Sequence, residues 1–126
     1  MSPDSDLEVV ERMLAAQQAG RVDDMLTCAH DRIVVRPMTR PGHSVYIGHT
    51  EFKLLLTDVG RAWGKHRVQW SDVTSTGDGT VTANGAVIML ADGAETEFTT
   101  FRAEFTVSDG LVTSYDTHPP PLIPNP

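Results

Sequence analysis

Three Asp-Gly pairs, Asp78-Gly79, Asp92-Gly93 and Asp109-Gly110, cut the second half of the chain into runs of β-forming residues. Both residues of such a pair tolerate positive φ, which the tight turns of antiparallel hairpins require. The runs between them, 66–74, 80–90, 95–107 and 111–117, are therefore expected to be consecutive antiparallel strands in a meander. Asn84-Gly85 falls inside the second run. A turn there would leave two very short strands, so the pair reads as a bulge or a close approach to the backbone within one long strand.

The first half has a different period. Leu7, Val10, Met13 and Leu14 recur at helical spacing, with Ser5 and Glu8 as a capping box and Gly20 as a stop. A second short helix fits 22–29, with Val22, Met25 and Leu26 on one face. Ile33-Val34-Val35-Arg36 reads as a strand ended by Pro37, and 38–44 as a loop. Phe52, Leu55, Leu56 and Val59 sit at i, i+3, i+4 and i+7, which predicts an amphipathic helix over 50–59. Pro119-Pro120-Pro121 opens a tail that can join neither sheet nor helix, so 118–126 is expected to be extended.

This order predicts an α+β domain, with three helices covering one face of a curved, mostly antiparallel sheet. All 126 residues read as one domain, with no repeat or linker. Side-chain parity places Thr99, Phe101, Ala103, Phe105 and Val107, and Val81, Ala83, Gly85, Val87 and Met89, toward the helices. Ala86, Ile88 and Phe98 fall on the outer face, where an apolar patch would favour a homodimer.

Composition narrows the function. Seventeen acidic residues against ten basic ones give a net charge of −7, and the Lys and Arg residues are scattered. Nucleic acid and anionic membrane surfaces need a basic face, so neither is an expected partner. No apolar run approaches a membrane span, and Met1-Ser2-Pro3-Asp4 does not read as a signal peptide. With Cys28 as the single cysteine, no internal disulfide can form, and a cytoplasmic protein is expected. Cys28 itself reads as a small core residue. The five histidines lack metal-ligand spacing, and no nucleophile elbow, phosphate loop or dinucleotide fingerprint occurs. No metal or cofactor is therefore expected.

Taken in order, Ile33-Val34-Val35-Arg36-Pro37, then Tyr46-Ile47-Gly48-His49-Thr50-Glu51-Phe52 opening a helix, then the hairpin from Phe105 through Asp109-Gly110 to Val112 carry a resemblance. The chain resembles the nuclear transport factor 2-like superfamily, most closely its SnoaL-like branch, over nearly its whole length. The resemblance implies a cone-shaped domain with a pocket between sheet and helices, and commonly a dimer. It implies no single chemistry, since members include polyketide cyclases, ketosteroid isomerases, epoxide hydrolases, dehydratases and non-catalytic binding modules.

Matched to those chemistries, this sequence departs from most of them. Ala83, Gly85 and Thr117 stand where the epoxide hydrolases carry an Arg, an Asp and a further Asp. Arg36-Pro37 stands where the ketosteroid isomerases carry a carboxylate base before a proline, and a guanidinium stays protonated. Asp116 and His118 offer the carboxylate and histidine of the cyclases, provided that Asp116 faces inward.

Four residues are thus candidates for chemistry. Arg36, taken to share the pocket side with Val34, either stabilises a ligand oxyanion or forms an internal ion pair with Glu97, Asp31 or Asp116. Asp116 and His118 are spaced as an acid/base pair, and the Tyr115 hydroxyl is a proton donor or a core hydroxyl bonded to its surroundings. Val34, Trp70, Met89, Phe101, Phe105 and Met13 would line the pocket, with Tyr46 and His43 at its mouth and Trp63 as a lid or packing residue. The expected function is cofactor-independent proton-transfer chemistry on a small apolar cyclic or polyketide-like molecule. The alternatives are a binding module using the same pocket, and a structural dimer whose core is filled.

Overall fold

The computed structural model describes residues 3–37 and 45–118. The expected loop at 38–44 with His43, the side chain of Trp63 and the tail at 119–126 lie outside the described residues. The chain is an α+β fold: helices α1 (Pro3–Gln18), α2 (Val22–Thr27) and α3 (Gly48–Trp63) lie against a six-stranded sheet.

The meander forms where the turn residues put it. β3 (His66–Ser75), β4 (Thr80–Ala91), β5 (Ala94–Ser108) and β6 (Leu111–His118) pair antiparallel in sequence, each boundary within one residue of expectation. Asp92 (φ 52) with Gly93 (φ 76), and Asp109 (φ 52) with Gly110 (φ 79), both take positive φ, the signature of two-residue hairpin turns matched to strand twist. The first turn is longer. There the Asp78 carboxylate accepts hydrogen bonds from the Thr76 hydroxyl and the Thr80 N–H, and these hold its carboxyl below the usual carboxylate range.

Two strands complete the sheet in the order β2-β1-β6-β5-β4-β3. β1 (Ala29–Arg36) starts four residues before the expected Ile33 and runs parallel to β6, while β2 (Tyr46–Ile47) pairs antiparallel with β1. The sheet is therefore mixed. The early start of β1 follows from pairing, since Ala29 lies opposite Val112 and the Val112 N–H donates to the Cys28 carbonyl. Cys28 is buried, in the core as expected.

Helix α1 also begins earlier than its expected cap, at Pro3. Proline is tolerated in a first turn, where its missing N–H would have no helical partner. The helix stops before Gly20, which takes φ +75. Val9, Val10, Met13 and Leu14 are buried against the sheet, and α1 packs on β3 to β6. Helix α3 packs on β1 and β2. Its start is tied down twice, by the Ile47 N–H donating to Glu51 Oε1 (2.8 Å) and by His49 Nε2 against the Ala29 carbonyl (2.9 Å).

The helix-covered face carries most of the expected set, with Val81, Ala83 and Val87 on β4 and Phe101, Ala103, Phe105 and Val107 on β5 all buried, and Met89 and Thr99 half-buried. Asn84-Gly85 is not a turn. Gly85 continues β4, and the Phe101 ring lies against its backbone. A bulge does occur two residues on: Val87 faces Thr99, but Ile88 faces Glu97, which leaves Phe98 outside the pairing. The outer apolar patch is correspondingly smaller than expected, because Phe98 is 59% exposed but Ile88 only 9%.

Candidate functional site

Between α3, α2, the end of α1 and the helix-covered face of the sheet lies a cavity of about 290 Å³. The amphipathic stripe of α3, Phe52, Leu55, Leu56 and Val59, forms one wall as a unit. Val35 and Pro37 of the β1 end, Val68, Val87 and Phe101 form the facing wall, and exposed Gln18 and Gly20 lie at its rim. The cavity is largely apolar and sits at the small end of ligand-site volumes.

Two of its polar side chains bond to each other. Tyr115 Oη donates to Gln17 Oε1 at 3.0 Å, and both residues line the cavity. Burial pushes the Tyr115 phenol well above the ordinary tyrosine value, opposed only in part by the Gln17 hydrogen bond. The phenol therefore keeps its proton throughout the neutral range, as a hydrogen-bonding group and not a base. Its bond to Oε1 turns the two N–H groups of Gln17 Nε2 elsewhere, and among the described residues they meet no acceptor. Tyr115 is itself held by aromatic packing, with ring centroids 4.5 Å from Phe105 and 6.0 Å from Phe52.

The other expected catalytic residues are on the opposite face. β1 buries Ile33 and Val35, not Val34, because Val35 lies opposite inward-facing Tyr115 in the parallel β1–β6 register. Arg36 follows Val34 outward, so its assignment to the pocket is corrected. Arg36 Nη1 donates to Asp116 Oδ1 at 3.2 Å, with the two side chains 56% and 26% exposed. Asp116 in turn faces Glu104 across β5, and Arg102 Nη2 lies 3.7 Å from Glu104 Oε1. His118 lies opposite Arg102 and is exposed. An acid/base pair of Asp116 and His118 inside the cavity is thus also corrected, since the sheet separates them from it. An exposed ion pair contributes little, about 0–1 kcal/mol. Arg36→Ala is accordingly expected to lower stability in urea by no more than about 1 kcal/mol.

Of the expected lining residues Phe101 is in the wall, as is Tyr115, a candidate for chemistry. Phe105 and Met13 are fully buried in the core, and Trp70, Met89 and Tyr46 are partly buried and pack against it. Val34 faces away with Arg36. Gln17, Thr117, His66 and Arg67 line the cavity without having been expected there. Gln17 alone left a sequence signal, because it extends the apolar stripe of Val10, Met13 and Leu14 by one turn as its first polar member. Arg67 is already paired, with its guanidinium on Glu95 (3.1 and 3.3 Å) and Gln69 (3.2 Å). Among the described residues no group of three or more His, Cys, Asp or Glu is placed to hold a metal ion, and no helix is long and apolar enough to cross a membrane.

Solved structures share this architecture. TerC, co-crystallised with polyporic acid, superposes with a TM-score of 0.78 over 91% of either chain at 16% identity. Bal32a from a soil-derived mobile gene cassette gives 0.77 over 91% of this chain and 88% of its own, also at 16% identity. An LEH-like epoxide hydrolase of M. tuberculosis gives 0.68 over 90% and 81% at 21% identity. At such identities the likeness is one of fold. No curated protein matches the chain in sequence. The family model of the SnoaL-like domain does match, over residues 10–115, and the chain belongs to that family.

Proposed function

We propose that this protein binds a small, mostly apolar molecule of one or two rings bearing a single hydroxyl or carbonyl, seated in the cavity with its oxygen on the Tyr115–Gln17 pair. What carries this reading is the makeup of the wall: mostly apolar surface, one pair of polar side chains bonded to each other, further polar groups from Gln18, His66, Arg67 and Thr117, and, among the described residues, no Asp or Glu side chain. A ligand hydroxyl there would accept from Gln17 Nε2–H and donate to Tyr115 Oη. The rest of the affinity would come from apolar area removed from water.

The test uses 2-naphthol and naphthalene, titrated by calorimetry. Gln17→Leu is expected to weaken 2-naphthol by about 3–10-fold, the worth of one hydrogen bond, and to leave naphthalene within about twofold. Equal loss of both compounds, or no binding of either by the native chain, would remove the assignment.

Proton-transfer catalysis in the same cavity is the second reading, and His66 is the observation that favours it. His66 lines the cavity, and its Nδ1 lies 2.8 Å from the Gly64 carbonyl. A carbonyl only accepts, so that contact places the proton of a neutral ring on Nδ1. Deuterium exchange at the α-carbons of 2-tetralone, catalysed by the native chain and lost in His66→Gln, would shift the assignment from binding to catalysis.

A further inference from the structure

We infer that Gly85 sets the depth of the cavity, and so decides whether a one-ring or a two-ring molecule fits; the inference rests on the binding role proposed above for the same cavity. Gly85 lies on β4 between two aromatic neighbours, opposite Trp70 on β3 and Phe101 on β5. The Phe101 ring occupies the place where a side chain at 85 would be. A Cβ there would fall 2.4 Å from Phe101 Cζ and 2.7 and 2.8 Å from its two Cε atoms. Ordinary contact begins at about 3.4 Å, so the ring and a methyl group cannot share this space.

Where the ring would go follows from what surrounds it. Trp70 stands edge-on to Phe101, with centroids 5.2 Å apart and planes at 85°. Trp70 is held in turn against Phe105 (6.2 Å) and Tyr115 (6.4 Å). The backbone of β4 lies beneath. The cavity, of which Phe101 is already a wall, is an open side. A methyl group at 85 therefore lifts the ring into the ligand's space. Nothing else at position 85 requires glycine, since its φ is not in the left-handed region. The missing side chain is what lets the ring lie down.

This makes Gly85 a specificity-determining position that touches no ligand. Gly85→Ala is expected to weaken 2-naphthol about tenfold or more and to leave phenol within about threefold, a discrimination of the size that small changes in pocket volume produce. Gly85→Ala combined with Phe101→Val is expected to restore 2-naphthol, because the displaced ring is gone. The crystal structure of the Gly85→Ala protein supplies a readout without ligand. A Phe101 ring rotated into the cavity supports the inference, and a ring left in place over a shifted β4 backbone overturns it. If the native chain binds 2-naphthol and Gly85→Ala binds it equally, the size rule fails while the binding role stands. If the native chain binds neither compound, the binding role fails, and the size rule falls with it. Should Gly85→Ala not fold, Phe101→Val alone, which deepens the cavity, is expected to favour 2-naphthol over phenol more than the native chain does. An unchanged ratio would overturn the inference.

Discussion

Phe105→Ala is expected to cost about 3–5 kcal/mol of folding stability, the upper range for emptying an aromatic site. Phe105 has no exposed surface and stands at the centre of the sheet, opposite Val81 on β4 and Tyr115 on β6. Its ring is 4.5 Å from that of Tyr115 and 6.2 Å from that of Trp70, so it backs the polar pair and the wall behind Phe101 together. Collapse into the vacated space is hindered, because the nearby rings of Tyr115 and Trp70 are themselves held by further rings. The cost is large against the whole stability of a domain of this size, about 5–15 kcal/mol. A urea midpoint reduced in proportion, with an unchanged slope, is the expected result. A loss below about 1.5 kcal/mol would mean that this aromatic layer is not packed as described.

The second large effect is at high pH. Burial raises the Tyr115 phenol above its unfolded value, so the folded chain holds this proton when the unfolded chain releases it. Its contribution is intact below the unfolded value of about 10 and is lost as pH rises from there toward the folded value. In that window the unfolded state binds fewer protons at this site, and stability falls by up to about 1.4 kcal/mol per pH unit. Tyr115→Phe is expected to remove this slope while losing the hydrogen bond to Gln17. Urea titrations at several alkaline pH values separate the two. Parallel stability-versus-pH curves for native and Tyr115→Phe proteins would show that the phenol is not buried as described.

Much of the architecture could be read from local chemistry. Asp-Gly turns fix hairpin positions because few residue pairs accept two positive φ angles. The α3 stripe survives intact into the cavity wall because a helix face is set by spacing alone. The site was harder to read. Ile33-Val34-Val35 places apolar residues on both faces of β1, so its parity depends on which residue lies opposite Tyr115, a contact eighty positions away in sequence. That one ambiguity moved Arg36 from the cavity to the outer face, where it meets Asp116. The bulge that leaves Phe98 of β5 unpaired opposite Val87 and Ile88 is equally non-local. Most of the aromatic and aliphatic residues expected to line the pocket lie in or against the core instead, because adjacency to empty space is a property of the assembled whole. Gln17 shows the converse, since a polar residue on a buried helical stripe is legible and points to the site.

The most direct measurement is a crystal structure of the protein grown with 2-naphthol. The expected result is two fused rings lying between the α3 stripe and Phe101, with the hydroxyl oxygen within hydrogen-bonding distance of Gln17 Nε2 and Tyr115 Oη. A cavity closed by rearranged side chains, or the compound seated only on the outer face beside Arg36 and Asp116, would contradict the account.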